Sequence, residues 1–255
     1  MKKELQTPFT ELGHEKFGKN VEIHAIFLRH GEKDGGGDLT EEGRKQALDF
    51  GEGLGTKDAI KGYSSPVQRV IETVEQVIKS APHDKKLRTR IRTELAIPPF
   101  SQEFIKKFGE MAKQGFDGAA EWYLSFGDQR PDPETVSPHE IAESFACLLA
   151  KYLKMADKLY SGSNIDLING THQGLPEALL KEILVRKKDD EEILGFEKLK
   201  DIGGALKFTE SVEFLIKTSG VGEKSLQINF RGESFGVDMG KLHELAKSYE
   251  ERTKK

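Results

Sequence analysis

The sequence predicts an α/β fold: a three-layer sandwich in which helices cover both faces of a mostly parallel β-sheet. Short segments rich in β-branched and aromatic residues alternate along the chain with longer segments whose apolar residues recur at helical spacing. The chain has 255 residues, of which 36% are hydrophobic and 32% charged, and this is enough for one sizeable core. We therefore expect a single domain over residues 1–255.

The first two strand–helix units show the pattern most clearly. Residues 21–28, VEIHAIFL, predict a buried strand, and the loop KDGGGD after it leads to a helix capped by Thr40. A second strand is predicted over residues 58–65, and the next helix starts with Ser65 as its cap and Pro66 in its first turn. One face of that helix is apolar, formed by Val67, Val70, Ile71, Val74, Val77 and Ile78.

The rest of the chain extends this sheet and interrupts it once. Polar and apolar residues alternate over residues 86–97, which predicts a third strand. The aromatic-rich residues 98–138 predict a helical insertion that covers the edge of the sheet where ligands are expected to bind. Residues 1–20 are polar and predict an N-terminal arm. The later elements are a long helix, a strand with its loop, a helix, a charged surface segment, a C-terminal β-hairpin and a polar helix, at residues 137–160, 164–174, 175–185, 187–193, 204–238 and 239–255.

Charge and composition argue against several classes of partner. The formal net charge is −4, whereas nucleic-acid binders usually carry a basic stripe, so we expect no nucleic-acid partner. No segment has the apolar length of a membrane span or a secretory signal, and we expect no membrane partner. Cys147 is the only cysteine, which fits a reducing compartment and predicts a cytoplasmic protein. The loop EKDGGGD lacks calcium-loop spacing, and we predict neither metal nor cofactor.

Two arginines and two histidines follow predicted strands. Arg29 and His30 come directly after the first strand, Arg69 lies in the first turns of the helix after the second, and His172 follows the strand that starts at residue 164. Because the carboxyl ends of parallel strands meet at one edge of a sheet, we expect these side chains to converge there. Thr73 lies one turn after Arg69 on the same face of the helix.

This set of side chains suits phosphate chemistry. Arginine binds phosphate oxygens through two parallel hydrogen bonds and stays charged. A neutral imidazole nitrogen can attack phosphorus and carry the phosphoryl group covalently. Phosphoryl transfer depends mainly on positioning and on neutralising the charge of the equatorial oxygens, which two arginines and a second histidine can supply. Gly31 would let the backbone pass close to the pocket.

Three motifs, in order, resemble the histidine phosphatase superfamily in its phosphoglycerate-mutase-like branch. They are LRHGE with LTEEGRKQA, then YSSPVQRVIETVE, then THQG, spread from about residue 21 to 185. The resemblance implies a phosphoglycerate-mutase-like fold. It also implies that His30 is the nucleophile that becomes phosphohistidine and that Arg29, Arg69 and His172 bind the phosphoryl group, with His172 also counted as catalytic.

The family also supplies an acidic residue that protonates the leaving oxygen, and here its position is open. The resemblance points to the segment RTELAIPPFSQEF, where Glu94 is the nearest carboxylate and Glu103 a competitor. The other family position, directly after the second histidine, holds Gln173. A weak acid, or none, would favour phosphoramidates or acyl phosphates, whose leaving groups need less protonation.

The resemblance therefore implies a metal-independent phosphatase that acts through phosphohistidine. Its substrate would be a small phosphorylated metabolite or a phosphoprotein. A phosphoglycerate mutase is an alternative, since such an enzyme retains the phosphoryl group while the substrate reorients. The open position of the acid motivates a third reading, a phosphate-binding regulatory protein without turnover.

Overall fold

The computed structural model describes residues 16–188, 191–220 and 222–254 of the chain. In these residues the strands are β1 (Glu22–Arg29), β2 (Ala59–Ser64), β3 (Lys85–Ile91), β4 (Asn164–Thr171), β5 (Leu184–Lys188), β6 (Glu191–Leu194), β7 (Ser211–Gly220), β8 (Glu223–Phe230) and β9 (Glu233–Val237). The helices are α1 (Glu41–Glu52), α2 (Gln68–Ser80), α3 (Gln102–Ala112), α4 (Phe116–Leu124), α5 (Pro138–Ala156), α6 (Leu175–Ile183) and α7 (Met239–Thr253).

The strands form one sheet in the order β3-β2-β4-β1-β7-β8-β9-β5-β6. Strands β3, β2, β4 and β1 are parallel, and every pairing from β1 through β7 to β6 is antiparallel. The predicted α/β fold is confirmed, with a parallel core extended by antiparallel C-terminal strands. Arg29 lies opposite Thr171 in the register of β1 with β4, so these two strands end side by side.

Helices cover both faces of the parallel half of the sheet. Ile26 and Leu28 of β1 pack with Val74 and Val77 of α2 on one face. Because side chains alternate along a strand, Phe27 of β1 points to the other face, where it joins the larger core with α5, α6 and α7. None of the helices in the described ranges is long and apolar enough to cross a membrane.

Capping explains where two of the helices begin. The Thr40 hydroxyl accepts a hydrogen bond from the backbone N–H of Gly43 at 2.9 Å, as predicted for the start of α1. At the start of α5, Ser137 and Glu140 form a reciprocal capping box. By contrast, α2 begins at Gln68 with Val67 as its cap residue, so Ser65 is not its N-cap and its hydroxyl serves another purpose.

The edges of the sheet depart from the prediction. Strand β3 ends at Ile91, and a short 3-10 turn over Thr93–Leu95 replaces its predicted last residues. The charged segment 187–193 is exposed at Lys187 and Glu192, as expected of solvated surface, but these residues also pair in the β5–β6 hairpin, which was not predicted; residues 189–190 lie outside the described residues. Charged residues suit an edge strand because they oppose pairing with other chains.

The C-terminal and N-terminal segments also differ from the expected picture. The predicted C-terminal hairpin has a third strand, β9, which joins β8 to β5. Residues 1–15 of the predicted N-terminal arm lie outside the described residues. The rest of that segment is tied down, since the Gly18 N–H donates to the carbonyl of Leu159 at 2.9 Å.

Candidate active site

The two histidines lie together at the carboxyl ends of β1 and β4. The His30 N–H donates to the Thr171 carbonyl at 3.2 Å, which continues the β1–β4 pairing one residue beyond the strands. The imidazole rings of His30 and His172 meet edge to face with centroids 5.5 Å apart. Both side chains are buried, with His30 4% and His172 6% exposed.

The His30 ring is held with one nitrogen available for chemistry. Its Nδ1 lies 2.7 Å from the carbonyl oxygen of Gly31, and since a carbonyl only accepts, Nδ1 carries the ring proton. The lone pair is then on Nε2, which accepts a hydrogen bond from Arg69 Nε at 3.2 Å. Burial lowers the pKa of His30 to about 4, and the positive charges of Arg69 and Arg29 add to this effect. The ring is therefore neutral at neutral pH.

His172 is also neutral in this arrangement. Its Nε2 lies 2.9 Å from the hydroxyl of Ser65, which in turn accepts a hydrogen bond from the N–H of Val67. Burial lowers the pKa of His172 to about 3, with His30 and the two arginines adding to the effect. The hydroxyl of Ser65 thus orients the second histidine.

Arg29 is held by one hydrogen bond and by contact with an aromatic ring, and one of its nitrogens is left without a partner. Its Nη1 donates to the Leu206 carbonyl at 2.7 Å, and its guanidinium carbon lies 4.0 Å from the centroid of the Phe208 ring. The buried Nε has no hydrogen-bond partner. Burial lowers the pKa of Arg29 to about 10, although the negative charges of Glu177 and Glu210 partly oppose this decrease. The side chain therefore stays charged at neutral pH. A buried, charged donor without a partner fits a site for an anion.

The loop after β1 is held against helices α1 and α2. The Thr73 hydroxyl accepts from the N–H of Gly31 at 3.1 Å and donates to the carbonyl of Arg69 at 2.7 Å, so it links the loop to the helix that carries Arg69. A Cβ on Gly31 would lie 2.4 Å from the Gly43 carbonyl oxygen, which no real side chain tolerates. Gly31 is therefore required for the close approach of the loop to α1.

The structure does not bring Glu94 or Glu103 to the histidine pair. The Glu94 carboxylate bonds to Lys151 Nζ at 2.6 Å and lines a separate cavity of about 240 Å³ together with Tyr249. Burial raises the pKa of this carboxyl, but the hydrogen bond and charge of Lys151 outweigh it and hold the pKa below its usual value. Glu103 lies exposed on α3. A carboxylate that is ionised and bound to a lysine is a poor proton donor.

A cleft of about 610 Å³ opens at His172, whose ring lies against that of His30. Lys33, Arg69, His172 and Gln173 line one end of it, and aromatic side chains from α3 and α4 line the other. None of the described residues that line it is acidic. Elsewhere in the described part of the chain, no group of three or more His, Cys, Asp or Glu side chains could hold a metal ion.

Sequence reasoning missed part of this site. Ser65 was expected to cap α2, whereas its hydroxyl contacts His172. The buried Glu177 accepts from the N–H groups of Gly174 and Leu206, at 2.8 and 2.7 Å, and so joins the loop of the second histidine to the segment that receives Arg29. Glu177 lies three residues after Gly174, in the first turn of a helix, and this position could have indicated a capping role from the sequence. Phe208 lies in no motif.

The fold and the site define an α/β protein with paired histidines and arginines at the ends of parallel strands. A sequence model described as "Histidine phosphatase superfamily (branch 1)" matches residues 25–197, which is more than half of the chain. The chain therefore belongs to the histidine phosphatase superfamily. No protein with a curated description matches the chain in sequence.

Several solved structures share this fold at low sequence identity. The structure named mycobacterial hydrolase 1 is 17% identical with a TM-score of 0.54, covering 84% of this chain and 99% of its own. The native mycobacterial glucosyl-3-phosphoglycerate phosphatase is 15% identical, also with a TM-score of 0.54, covering 82% and 98%. Mycobacterial hydrolase 2 is 17% identical with a TM-score of 0.53, covering 89% and 98%. At these identities the likeness shows the fold.

Proposed function

We propose that this protein is a phosphatase that hydrolyses phosphate monoesters through a phosphohistidine at His30. One observation carries the proposal: the His30 ring is buried, neutral and fixed by the Gly31 carbonyl, with its Nε2 lone pair facing Arg69 and with the charge of Arg29 close enough to lower the pKa of the ring. Nucleophilic attack on phosphorus requires an uncharged nitrogen next to positively charged side chains that bind the phosphate.

In the first step, the nonbridging oxygens of the substrate accept hydrogen bonds from Arg29 and Arg69. Binding replaces the Arg69 Nε contact with His30 and frees the lone pair. Nε2 forms a bond to phosphorus while the bond from phosphorus to the ester oxygen breaks, and the electron pair leaves with that oxygen. The leaving oxygen then takes a proton from water.

In the second step, water attacks the phosphorus and the nitrogen–phosphorus bond breaks. Because Nδ1 keeps its proton on the Gly31 carbonyl, the phosphorylated ring is cationic, which makes it a good leaving group. The ring returns to its neutral form, inorganic phosphate is released, and the proton lost by water goes to solvent or to the phosphate. We include His172 in the site as a donor to the phosphoryl oxygens once an anion raises its pKa from about 3.

A phosphatase fits the cleft better than a mutase does. A phosphoglycerate carries a carboxylate as well as a phosphate, and this second charge needs cations of its own. Apart from Lys33 and Arg69, however, none of the described residues that line the cleft is a cation at neutral pH, and beyond the histidine end its side chains are apolar. Isomerisation of 3-phosphoglycerate without phosphate release would favour the mutase. Tight binding of vanadate with no turnover of any ester would favour a regulatory protein.

The test is His30→Ala, assayed by phosphate release from phenyl phosphate. We expect kcat/KM to fall by at least about a thousandfold, since loss of a nucleophile removes the covalent route. Acid-labile phosphate should appear on the wild-type chain after a rapid quench and be missing in the variant. His243→Ala, at an exposed histidine on α7, is the matched control and should keep full activity. Full turnover in His30→Ala would overturn the mechanism.

A further inference from the structure

The aromatic end of the cleft is built by α3 and α4 and continues directly from the histidines. Phe100, Phe104 and Tyr123 form one group of rings, with centroids 5.1 Å apart for Phe100–Phe104 and 5.1 Å for Phe104–Tyr123. Phe108 joins this group through Phe104 at 5.8 Å and contacts Phe116 at 5.7 Å. Phe116 also reaches the loop of the second histidine, since its ring lies 3.8 Å from where a Cβ of Gly174 would be.

Polar groups in the cleft are confined to its phosphate end. The one hydroxyl among these aromatic rings is that of Tyr123. It donates its proton to the Val136 carbonyl at 2.7 Å and so has no proton left to donate to a ligand. The other residues of this end offer aliphatic or aromatic surface, and Ile97 and Ile105 remain 45% and 49% exposed beside it. A sugar or an amino acid placed here would lose its water hydrogen bonds without replacement, which is costly.

The histidine end lacks an acid that would help a poor leaving group. The Glu94 carboxylate is bound to Lys151 in another cavity, and none of the described lining residues of the cleft is acidic. An aliphatic alcohol has a pKa close to the ~16 of water, so its oxygen needs a proton in order to leave. A phenol has a pKa near ~10 and leaves far more readily as the anion.

Taken with the phosphatase function proposed above, on which this step rests, these two observations identify a substrate class. We infer that the substrates are phosphate monoesters of apolar phenols, with the phosphate at the histidines and the ring system against the aromatic side chains of α3 and α4 that line the cleft. His30 Nε2 bonds to phosphorus as the phosphorus–phenol oxygen bond breaks, the phenolate leaves, and solvent protonates it. Segment 98–138 then acts as the specificity element of the enzyme.

A series of 4-alkylphenyl phosphates tests this inference. Lengthening the alkyl chain leaves the pKa of the phenol nearly constant, so any change in kcat/KM reports burial in the cleft. We expect kcat/KM to rise about two- to fourfold for each methylene from phenyl to 4-butylphenyl phosphate. Alkyl phosphates of similar size should be turned over at least about a hundredfold more slowly, because their alcohols are poorer leaving groups.

Two glycine variants provide a matched pair for the same series. Gly109 on α3 lines the cleft and Gly118 on α4 does not, while an added Cβ meets no atom within 4 Å at either position. Gly109→Leu should therefore fill the cleft and remove the rise with chain length, whereas Gly118→Leu should keep it. Both changes favour the helix, because glycine is a poor helix former, so loss of folding is not expected.

Binding of non-hydrolysable 4-alkylbenzylphosphonates, measured by calorimetry, separates this inference from the proposed function. Affinity that rises with chain length and is lost in Gly109→Leu supports the apolar site for the aryl group even if no ester is hydrolysed. That result would overturn the phosphatase proposal and leave the cleft as a binding site for aryl phosphates. Turnover of phenyl phosphate without any chain-length effect on turnover or binding overturns the inference alone. It is likewise overturned if a phosphotyrosine peptide is preferred to 4-butylphenyl phosphate, or if Gly118→Leu removes the rise with chain length as fully as Gly109→Leu does.

Discussion

The two ends of the cleft differ in how their side chains are held. At the histidine end, hydrogen bonds hold the side chains: His30 to the Gly31 carbonyl, Arg29 to the Leu206 carbonyl, and His172 to the Ser65 hydroxyl. At the aromatic end, two short helices face each other through rings, and the contacts are apolar. Hydrogen bonds impose direction and distance, whereas apolar contact imposes only shape. We infer that the first end determines the reaction and the second end determines which molecule reacts.

This difference leads to separate kinetic signatures. Interactions with the phosphoryl group strengthen as charge develops in the transition state, so changes at the histidine end should lower kcat. Contacts with an apolar leaving group are similar in the ground and transition states, so changes at the aromatic end should mainly raise KM. The predictions below concern the polar end and its surroundings, in order of expected effect.

Removal of one guanidinium should have the largest effect. We expect Arg69→Ala to lower kcat/KM for phenyl phosphate by about 100- to 1000-fold, the usual loss for one donor to a developing anion. The decrease should lie in kcat more than in KM. Arg88→Ala, at an exposed arginine on β3, is the control and should behave like the wild type. A pure KM effect in Arg69→Ala would contradict the division between the two ends.

Acid should destabilise the protein through the polar end. The pKa values of His30 and His172 are lowered to about 4 and about 3 in the folded protein, whereas unfolded histidines titrate near ~6.5. Between these values the unfolded chain binds more protons, so the free energy of unfolding falls as the pH drops from about 6.5 to 4. Urea unfolding of the wild type should lose on the order of 2 kcal/mol more over this range than the double variant His30→Gln, His172→Gln.

The control for this measurement is His243→Gln, which removes an exposed histidine of α7. It should lose as much stability on acidification as the wild type does. Equal pH dependence in the wild type and the double variant would show that the two buried histidines are not the titrating groups.

Glu177 should act as a positioning residue with a moderate effect. Its two carboxylate oxygens accept from the N–H groups of Gly174 and Leu206, and an amide offers only one acceptor oxygen. Glu177→Gln should therefore cost about 1–3 kcal/mol of stability and shift the loop of His172 and the segment that receives Arg29. We expect kcat/KM to fall about tenfold. Glu244→Gln, at an exposed glutamate on α7, should change neither quantity.

The polar end was predictable from sequence because the carboxyl ends of parallel strands lie at one edge of a sheet and bring distant residues together there. Arg29 ends β1, and His30, Arg69 and His172 come soon after the ends of β1, β2 and β4. The parallel register of these three strands brings the four residues close together. The partners of these residues were not predictable in the same way. Ser65, for example, is read locally as a helix cap, and only the tertiary structure shows that its hydroxyl meets His172.

The aromatic end of the cleft and the position of the Glu94 carboxylate could not be predicted from local sequence, for a different reason. The spacing of Phe104 and Phe108 is that of any buried helix face, and whether such a face packs on the core or lines a cleft depends on the neighbouring helix. The segment that includes Glu94 was assigned to a strand, but the chain turns at Thr93–Leu95 and directs the carboxylate to Lys151. The parallel part of the sheet was predicted well. The β5–β6 edge was predicted poorly, because these strands pair although their charged composition is not typical of a strand.

The smallest effect is expected at Glu94, and it tests the comparison most closely. If the histidine end works without an acid, Glu94→Gln should change kcat for phenyl phosphate by less than about threefold, whereas loss of a general acid costs about 100- to 10,000-fold. Lys151→Met breaks the same ion pair from the other side and should match it in kcat and in stability. If Lys151→Met keeps full activity while Glu94→Gln loses a hundredfold, Glu94 donates the proton after all, and the restriction to phenolic leaving groups loses one of its two supports.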